Sequence, residues 1–463
     1  MINTRIERDS LGEKEVPINA HYGVQTQRAM ENFPISGIRA HPKFIDAYMM
    51  IKKAAAIANM KSGDLGSKEG DAIVRATDEV LSGDLRDQFV VDIFQMGAGT
   101  SFNMNCNEVI ANRAIEMLGG ERGKYDVIHP NDHVNMSQST NDTFPTAMRL
   151  ATLLLLPDLE MELEGFANSL DTKGKEFDDI FKSGRTHLQD AVPIRLGQEF
   201  TAYSITIKKC LQEISYTKTS LLELGIGGSA VGTGLNTTSG YVDEVIGSLR
   251  KMTGMDLTKA EDMREVMQSQ RSMTEISSSL RNLALEMTRI CNDLRLLASG
   301  PMTGLDEIVL PAVAPGSSIM PGKVNPSMIE MTNMVCFQVI GCDVSVAYAA
   351  QAGQLELNVM MPVIAYNILF SVEIMTNSIR QLRMRCIDGL SANVENCRRY
   401  VEKSLGMATV LNNVIGYMRA AEVTAEASRS GKSILDVIRE KKILSDSEIK
   451  EILDLRKMTE PGE

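Results

Sequence analysis

Apolar residues recur at steps of three and four through much of the chain, most regularly at Met273, Ile276, Leu280, Leu283, Met287, Ile290, Leu294 and Leu297. Those positions share one helical face, and an unbroken seam of this kind predicts a long helix packed at a shallow angle against others. Ser299-Gly300-Pro301 closes it, because glycine suits the turn after a helix and proline cannot continue one. The same seam would serve a purely structural coiled coil. Further long apolar segments at about 146–180, 193–224, 327–350 and 357–384 favour a multi-helix core. Shorter helical patterns run from Pro42 to Lys61, Glu69 to Leu81 and Asn107 to Leu118, and Pro193 is expected to start the helix that reaches about Leu224. Strand-like alternation is scarce. The expected fold is therefore all-α: a long central multi-helix bundle with smaller N- and C-terminal helical domains. Divisions are expected at 1–140, 141–390 and 391–463, with the turn-and-helix signals Lys432–Ile438 and Leu444–Ile449 in the last part.

Composition narrows the partners. A chain of 463 residues buries a large core. Its net charge of −12 argues against nucleic acid or an anionic membrane surface, so an anionic ligand needs cations local to a pocket. Seven scattered cysteines without a C-x-x-C pair suggest reduced thiols in a cytoplasmic protein. The first residues are charged and carry no signal-like segment, and no apolar run approaches membrane-spanning length.

The polar interruptions carry the chemistry. Pro315-Gly-Ser-Ser-Ile-Met-Pro-Gly-Lys-Val-Asn-Pro326 must be a loop, since its glycines and prolines exclude a regular helix. Neutral donors and one fixed cation suit it to an anion, and Ile319 and Met320 are expected to pin its middle to a core. It is neither a P-loop nor a nucleophile elbow: five residues separate Gly316 from Gly322, Val324 follows Lys323, and no glycine stands two places after either serine. Gln95-Met-Gly-Ala-Gly-Thr-Ser-Phe-Asn-Met-Asn105 places glycines and hydroxyls before a helix, an arrangement that either holds a carboxylate or simply caps the helix. His129 to Asp142 is dense in hydrogen-bonding side chains. His129 and His133 have metal-helix spacing, but Pro130 interrupts the turn, so no metal site is assigned. Gly184-Arg-Thr-His-Leu-Gln-Asp-Ala-Val-Pro193 brings one of only five histidines among polar neighbours. Gly225 to Asn236 lacks dinucleotide-loop spacing.

Together these strings resemble the aspartase/fumarase superfamily, whose members eliminate ammonia, water or a larger amine to release fumarate. Gly316-Ser-Ser-Ile-Met-Pro-Gly-Lys-Val-Asn-Pro326 is similar to its signature nearly letter for letter. The other blocks match in turn, as do Ala20–Arg28, where tyrosine, glycine and arginine brace the site, and Gly-Thr-Gly-Leu-Asn236. The likeness runs from Arg5 to about Pro461. Gly-Ala-Gly-Thr-Ser101 and Gln354-Leu-Glu-Leu-Asn-Val359 have the ammonia-lyase form. Met96, Met302 and Met361 depart from the glycine, arginine and glutamate usual in aspartases.

The resemblance implies an aspartase that releases fumarate from L-aspartate without a cofactor or catalytic metal. Ser317 is implied as base, with Lys323 and His187 beside it. Thr100, Ser139, Thr140 and Ser318 would hold the carboxylate on which charge develops; Thr186, Lys323 and Asn325 would hold the other, and Ser101 would also contact substrate. Asn141 and His187 would lie near the leaving amine, and Glu330 would set the protonation of His187. A homotetramer with each site built from three subunits is implied as well. A class II fumarase, a lyase for a substituted aspartate and a non-catalytic helical scaffold are the alternatives.

Overall fold

The computed structural model describes residues 3–452 and 454–460; Pro461, where the likeness ends, lies outside them. The chain opens on an antiparallel hairpin, β1 (Thr4–Asp9) and β2 (Gly12–Pro17), paired from Thr4↔Pro17 to Asp9↔Gly12. Helices α1 (Val24–Asn32), α2 (Pro42–Ser62), α3 (Ser67–Ser82) and α4 (Thr100–Met117) follow. Then come α5 (Thr140–Glu176), the hairpin β3 (Phe181–Thr186) and β4 (Gln189–Arg195), and α6 (Leu196–Lys218). Beyond α7 (Tyr241–Thr253) and α8 (Met263–Gln268) run the long helices α9 (Arg271–Leu297), α10 (Ser327–Gln351) and α11 (Met361–Leu382). The chain finishes in short helices from Val394 to Met458.

The all-α reading holds, and the α9 seam is buried at every one of its eight positions, from Met273 to Leu297. Three local expectations do not hold. Pro193 starts no helix; it lies in β4 opposite Ser183, where the pairing shifts register toward Arg185. A residue without an N–H is tolerated at such an irregularity, and the helix begins three residues later. The helix expected from Asn107 begins at Thr100, because the glycines before it form its entry turn. Strand-like alternation is scarce in the sequence, yet the charged segments β1 and β2 form a strand pair.

By contact density the chain divides into two units. The first comprises Met1–Glu160, Gln212–Ala284 and Phe337–Met375; the second comprises Met161–Leu211, Leu285–Cys336 and Thr376–Glu463. Helices α5, α6, α9, α10 and α11 contribute residues to both. The first unit has an aromatic centre in which Phe44 packs on Tyr48, Phe102 and Phe144 at centroid distances of 5.4, 5.3 and 4.9 Å. Burying each ring contributes about 1.5–3 kcal/mol. That centre fixes the starts of α4 and α5, which supply Phe102 and Phe144. The second unit includes an apolar cluster of its own around Leu411, Val423, Val437 and Ile438.

Helix α10 corrects the expectation about membrane length. It has 25 residues, and an 18-residue window within it has a mean hydropathy of 1.3, enough by length and composition alone to cross a membrane; 39% of that window is buried within the chain. Polar Thr332, Asn333, Gln338 and Asp343 interrupt its apolar runs. Asp343 is held by Ser277 at 2.7 Å and Arg281 at 3.1 Å, the bonding of a helix packed against protein. Met334, Phe337, Val344 and Tyr348 form an exposed stripe on it, between 51% and 68% accessible.

Candidate active site

In the first unit two helix starts carry hydroxyl groups. Before α4 the backbone passes through left-handed Ala98 (φ 62°) and Gly99 (φ 85°). A side chain at Gly99 would place its Cβ 2.0 Å from the Phe144 ring, so only glycine admits this approach. Ala98 N–H donates to Val359 O at 2.8 Å, and Phe102 N–H to Gln95 Oε1 at 2.8 Å. These ties aim the first turn of α4, which holds Thr100 and buried Ser101 and no acidic residue. A helix N-terminus of this kind carries a partial positive charge.

The start of α5 is built as tightly. Ser139 Oγ accepts from Asn141 N–H at 3.2 Å, and Asp142 Oδ1 accepts from Ser139 N–H at 2.9 Å. The other Asp142 oxygen accepts from Gly227 and Ser229 N–H at 3.0 and 2.9 Å. Asn141 Nδ2 donates to Ala230 O at 2.8 Å, leaving its side-chain oxygen as the free end. The glycine-rich loop therefore serves as backing for Ser139, Thr140 and Asn141. Burial pushes the Asp142 carboxyl up to about 7, against the pull of its three N–H donors and Lys52.

Lys52 went unnoticed in the sequence. It is wholly buried, and its Nζ donates to Asn103 Oδ1 at 2.8 Å and Asn135 Oδ1 at 3.0 Å. The first asparagine is on α4, three residues from Thr100; the second precedes Ser139 by four. One ammonium thus ties both polar segments together, and burial brings its pKa down to about 7. Its position on the buried face of α2, with Tyr48 and Asn59, was the available signal. In the N-terminal brace, Arg28 is spent on Asp9 at 2.9 Å, and Gly23 stands where a Cβ would meet Tyr125 at 2.5 Å.

In the second unit, Thr186 ends β3, and His187 and Leu188 make the turn to Gln189. Both turn residues are left-handed, at φ 56° and 58°. This is the hairpin geometry that normally selects Asn-Gly; a leucine there is strained. His187 is exposed at the tip.

The Ser317 loop is closed at its base. Gly316 N–H donates to Lys323 O at 2.8 Å, and Asn325 Nδ2 donates to Gly316 O at 2.5 Å. Within it Ser317 Oγ accepts two backbone N–H groups, from Ile319 at 3.2 Å and Met320 at 2.9 Å. Ile319 and Met320 do not pin the loop to a core of this chain; they are 82% and 50% exposed. The short ring of hydrogen bonds, and not apolar packing, holds its shape. Ser318 and Lys323 are exposed on it, and Glu330 stands in the first turn of α10. Among the described residues no hydrogen bond or ion pair joins Glu330 to His187, or Lys323 to a carboxylate.

A lyase family model matches residues 12–341, and a model of the fumarase C C-terminus matches 407–460. Proteins named aspartate ammonia-lyase are 50% identical in Bacillus sp (99% of this chain, 98% of the relative), 48% in Bacillus subtilis (99% and 96%) and 46% in Escherichia coli (99% and 97%). Among solved structures, a fumarate lyase:delta crystallin from Brucella melitensis bound to cobalt is 47% identical, with a TM-score of 0.96 over 99% of this chain and 100% of that one. A class II fumarase from Schistosoma mansoni is 38% identical, with a TM-score of 0.95 and full coverage of both.

Proposed function

The chain belongs to the aspartase/fumarase superfamily as a carbon–nitrogen lyase of the aspartate ammonia-lyase type, and we propose how its residues share the work. The reaction removes a weakly acidic C3 proton next to a carboxylate, then breaks the bond between C2 and the amine. Ser317 takes the proton. The pair of electrons left on C3 spreads onto the adjoining carboxylate, then forms the double bond of fumarate as ammonia leaves.

One observation carries this reading: Ser317 Oγ is already the acceptor of two backbone N–H groups. A hydroxyl is a poor base at neutral pH, and donors fixed on its oxygen favour the oxyanion. Thr100, Ser101, Ser139, Thr140 and Ser318 supply neutral donors for the carboxylate on which charge develops, aided by the α4 N-terminus. Lys323, Thr186 and Asn325 orient the other carboxylate; because Asn325 Nδ2 already serves Gly316 O, this residue acts mainly by shaping the loop. Asn141 and His187 lie near the leaving amine, with Glu330 opposite His187. The chain needs no cofactor for these steps.

Each site, on this proposal, is assembled from three copies in a homotetramer of the cytoplasm. The exposed stripe of α10 and the exposed Ile319 and Met320 support it, because such apolar surface seeks a partner. Residues 1–140, 141–390 and 391–463 form the three functional parts. Purified protein assayed side by side on L-aspartate and L-malate tests the reaction. Fumarate formed with ammonium from aspartate alone supports it; fumarate from malate alone makes the chain a fumarase.

A further inference from the structure

His187 and Leu188 hold a strained turn, and such strain persists only where the surroundings over-determine it. The hairpin's own sequence does not, since it lacks the residues this turn prefers. The strand that leads into it is anchored by a buried charge cluster centred on Glu307, which is fully inaccessible. One carboxylate oxygen of Glu307 is 2.9 Å from Arg185 Nη1 and the other 2.9 Å from Lys182 Nζ. These are ion-pair distances to two residues of β3, the strand that ends at Thr186 next to His187. Lys182 also reaches Glu199 at 2.8 Å, so two basic side chains face two acidic ones.

Glu307 is itself immobilised. Its N–H donates to Leu297 O at 2.9 Å, and its carbonyl accepts from Asn393 N–H at 2.9 Å. Arg185 lies over the ring of Tyr400 at 5.5 Å, and the Tyr400 hydroxyl donates to Gly304 O at 3.2 Å. From this geometry we infer that Glu307 is a positioning residue for the reaction: it clamps β3 through Arg185 and Lys182 and so fixes where Thr186 and His187 meet the substrate. The inference rests on the placement of His187 at the site proposed above.

The experiment is a double-mutant cycle of Glu307→Gln and His187→Ala, read as kcat and KM for L-aspartate. A displacement of about 1 Å at a positioned group costs about 100-fold. Glu307→Gln is therefore expected to lower kcat about 10- to 100-fold with KM nearly unchanged, and to add less than about 2-fold in the His187→Ala background. Unchanged kcat, or a loss that multiplies in full with His187→Ala, would overturn the inference and leave the cluster a merely structural clamp. Should Glu307→Gln fail to fold, Arg185→Lys, which keeps the charge but loses the stacked planar fork, must show the same non-additivity. With five histidines in the chain, the His187 ring is also readable by NMR of histidine-labelled protein. Its signal must move in the Arg185 or Glu307 variant, and a stationary signal overturns the clamp whatever the substrate. A silent His187→Ala with a shifted ring signal would instead sink the reaction reading and spare the clamp.

Discussion

The turn at Gly97–Ser101 and the loop at Gly316–Asn325 both set hydroxyl groups among glycines, yet a Cβ added at Gly99 would sit 2.0 Å from Phe144, whereas one at Gly322 would meet nothing. The first segment is buried against an aromatic centre, tied to Val359 and Gln95, and joined to the Ser139 segment through Lys52. The second is held by its own few hydrogen bonds and presents its apolar tip outward. On the roles proposed above, the difference follows from what each has to do. Donors that stabilise developing charge work best when they need no rearrangement, so they are built into a core. A base that must admit substrate and then exclude water is better carried on a loop whose base is fixed and whose tip is free.

That contrast can be broken at several points. Thr140→Val removes a donor from the rigid segment and is expected to lower kcat about 100- to 1,000-fold, with the melting temperature little changed; steady-state kinetics and calorimetry check both. Gly99→Ala drives a methyl group into Phe144 at a left-handed position, so overpacking and strain together are expected to cost about 2–5 kcal/mol by denaturant unfolding. Lys52→Met tests the buried cation through pH. Because its folded pKa is depressed to about 7, the unfolded chain binds the extra proton between about pH 7 and the ordinary lysine range. Its penalty is full below pH 7 and fades as pH rises, so stability gained between pH 7 and 9 in the parent should be missing in the variant. Gly322→Ala, left-handed at φ 80° but in open space, is expected to cost only about 1 kcal/mol. Equal losses at Gly99 and Gly322 would erase the contrast.

The bundle was legible because burial along a helix leaves a period in the sequence, and the α9 seam shows it at each step. The polar blocks were legible as loops through their glycines and prolines. The hairpins were not. β1 and β2 are charged along most of their length, and the β3–β4 turn uses His-Leu where a turn signal would read Asn-Gly. Lys52 and Asp142 escaped for another reason: burial of a charge is a property of what surrounds it, although the Ser139-x-x-Asp142 capping pattern pointed at the latter. Ile319 and Met320 illustrate the third kind of gap. Apolar residues in a loop indicate that something must cover them, and the sequence does not say whether it is the same chain.

The central claim is that Ser317 abstracts the C3 proton. Its most direct test is Ser317→Ala assayed on L-aspartate beside the parent, with circular dichroism to confirm folding and C3 hydrogen exchange followed in deuterated water. Turnover and exchange should fall together by about 100- to 10,000-fold, the range a positioned base contributes. A variant that releases fumarate and exchanges the C3 proton as fast as the parent would contradict the account.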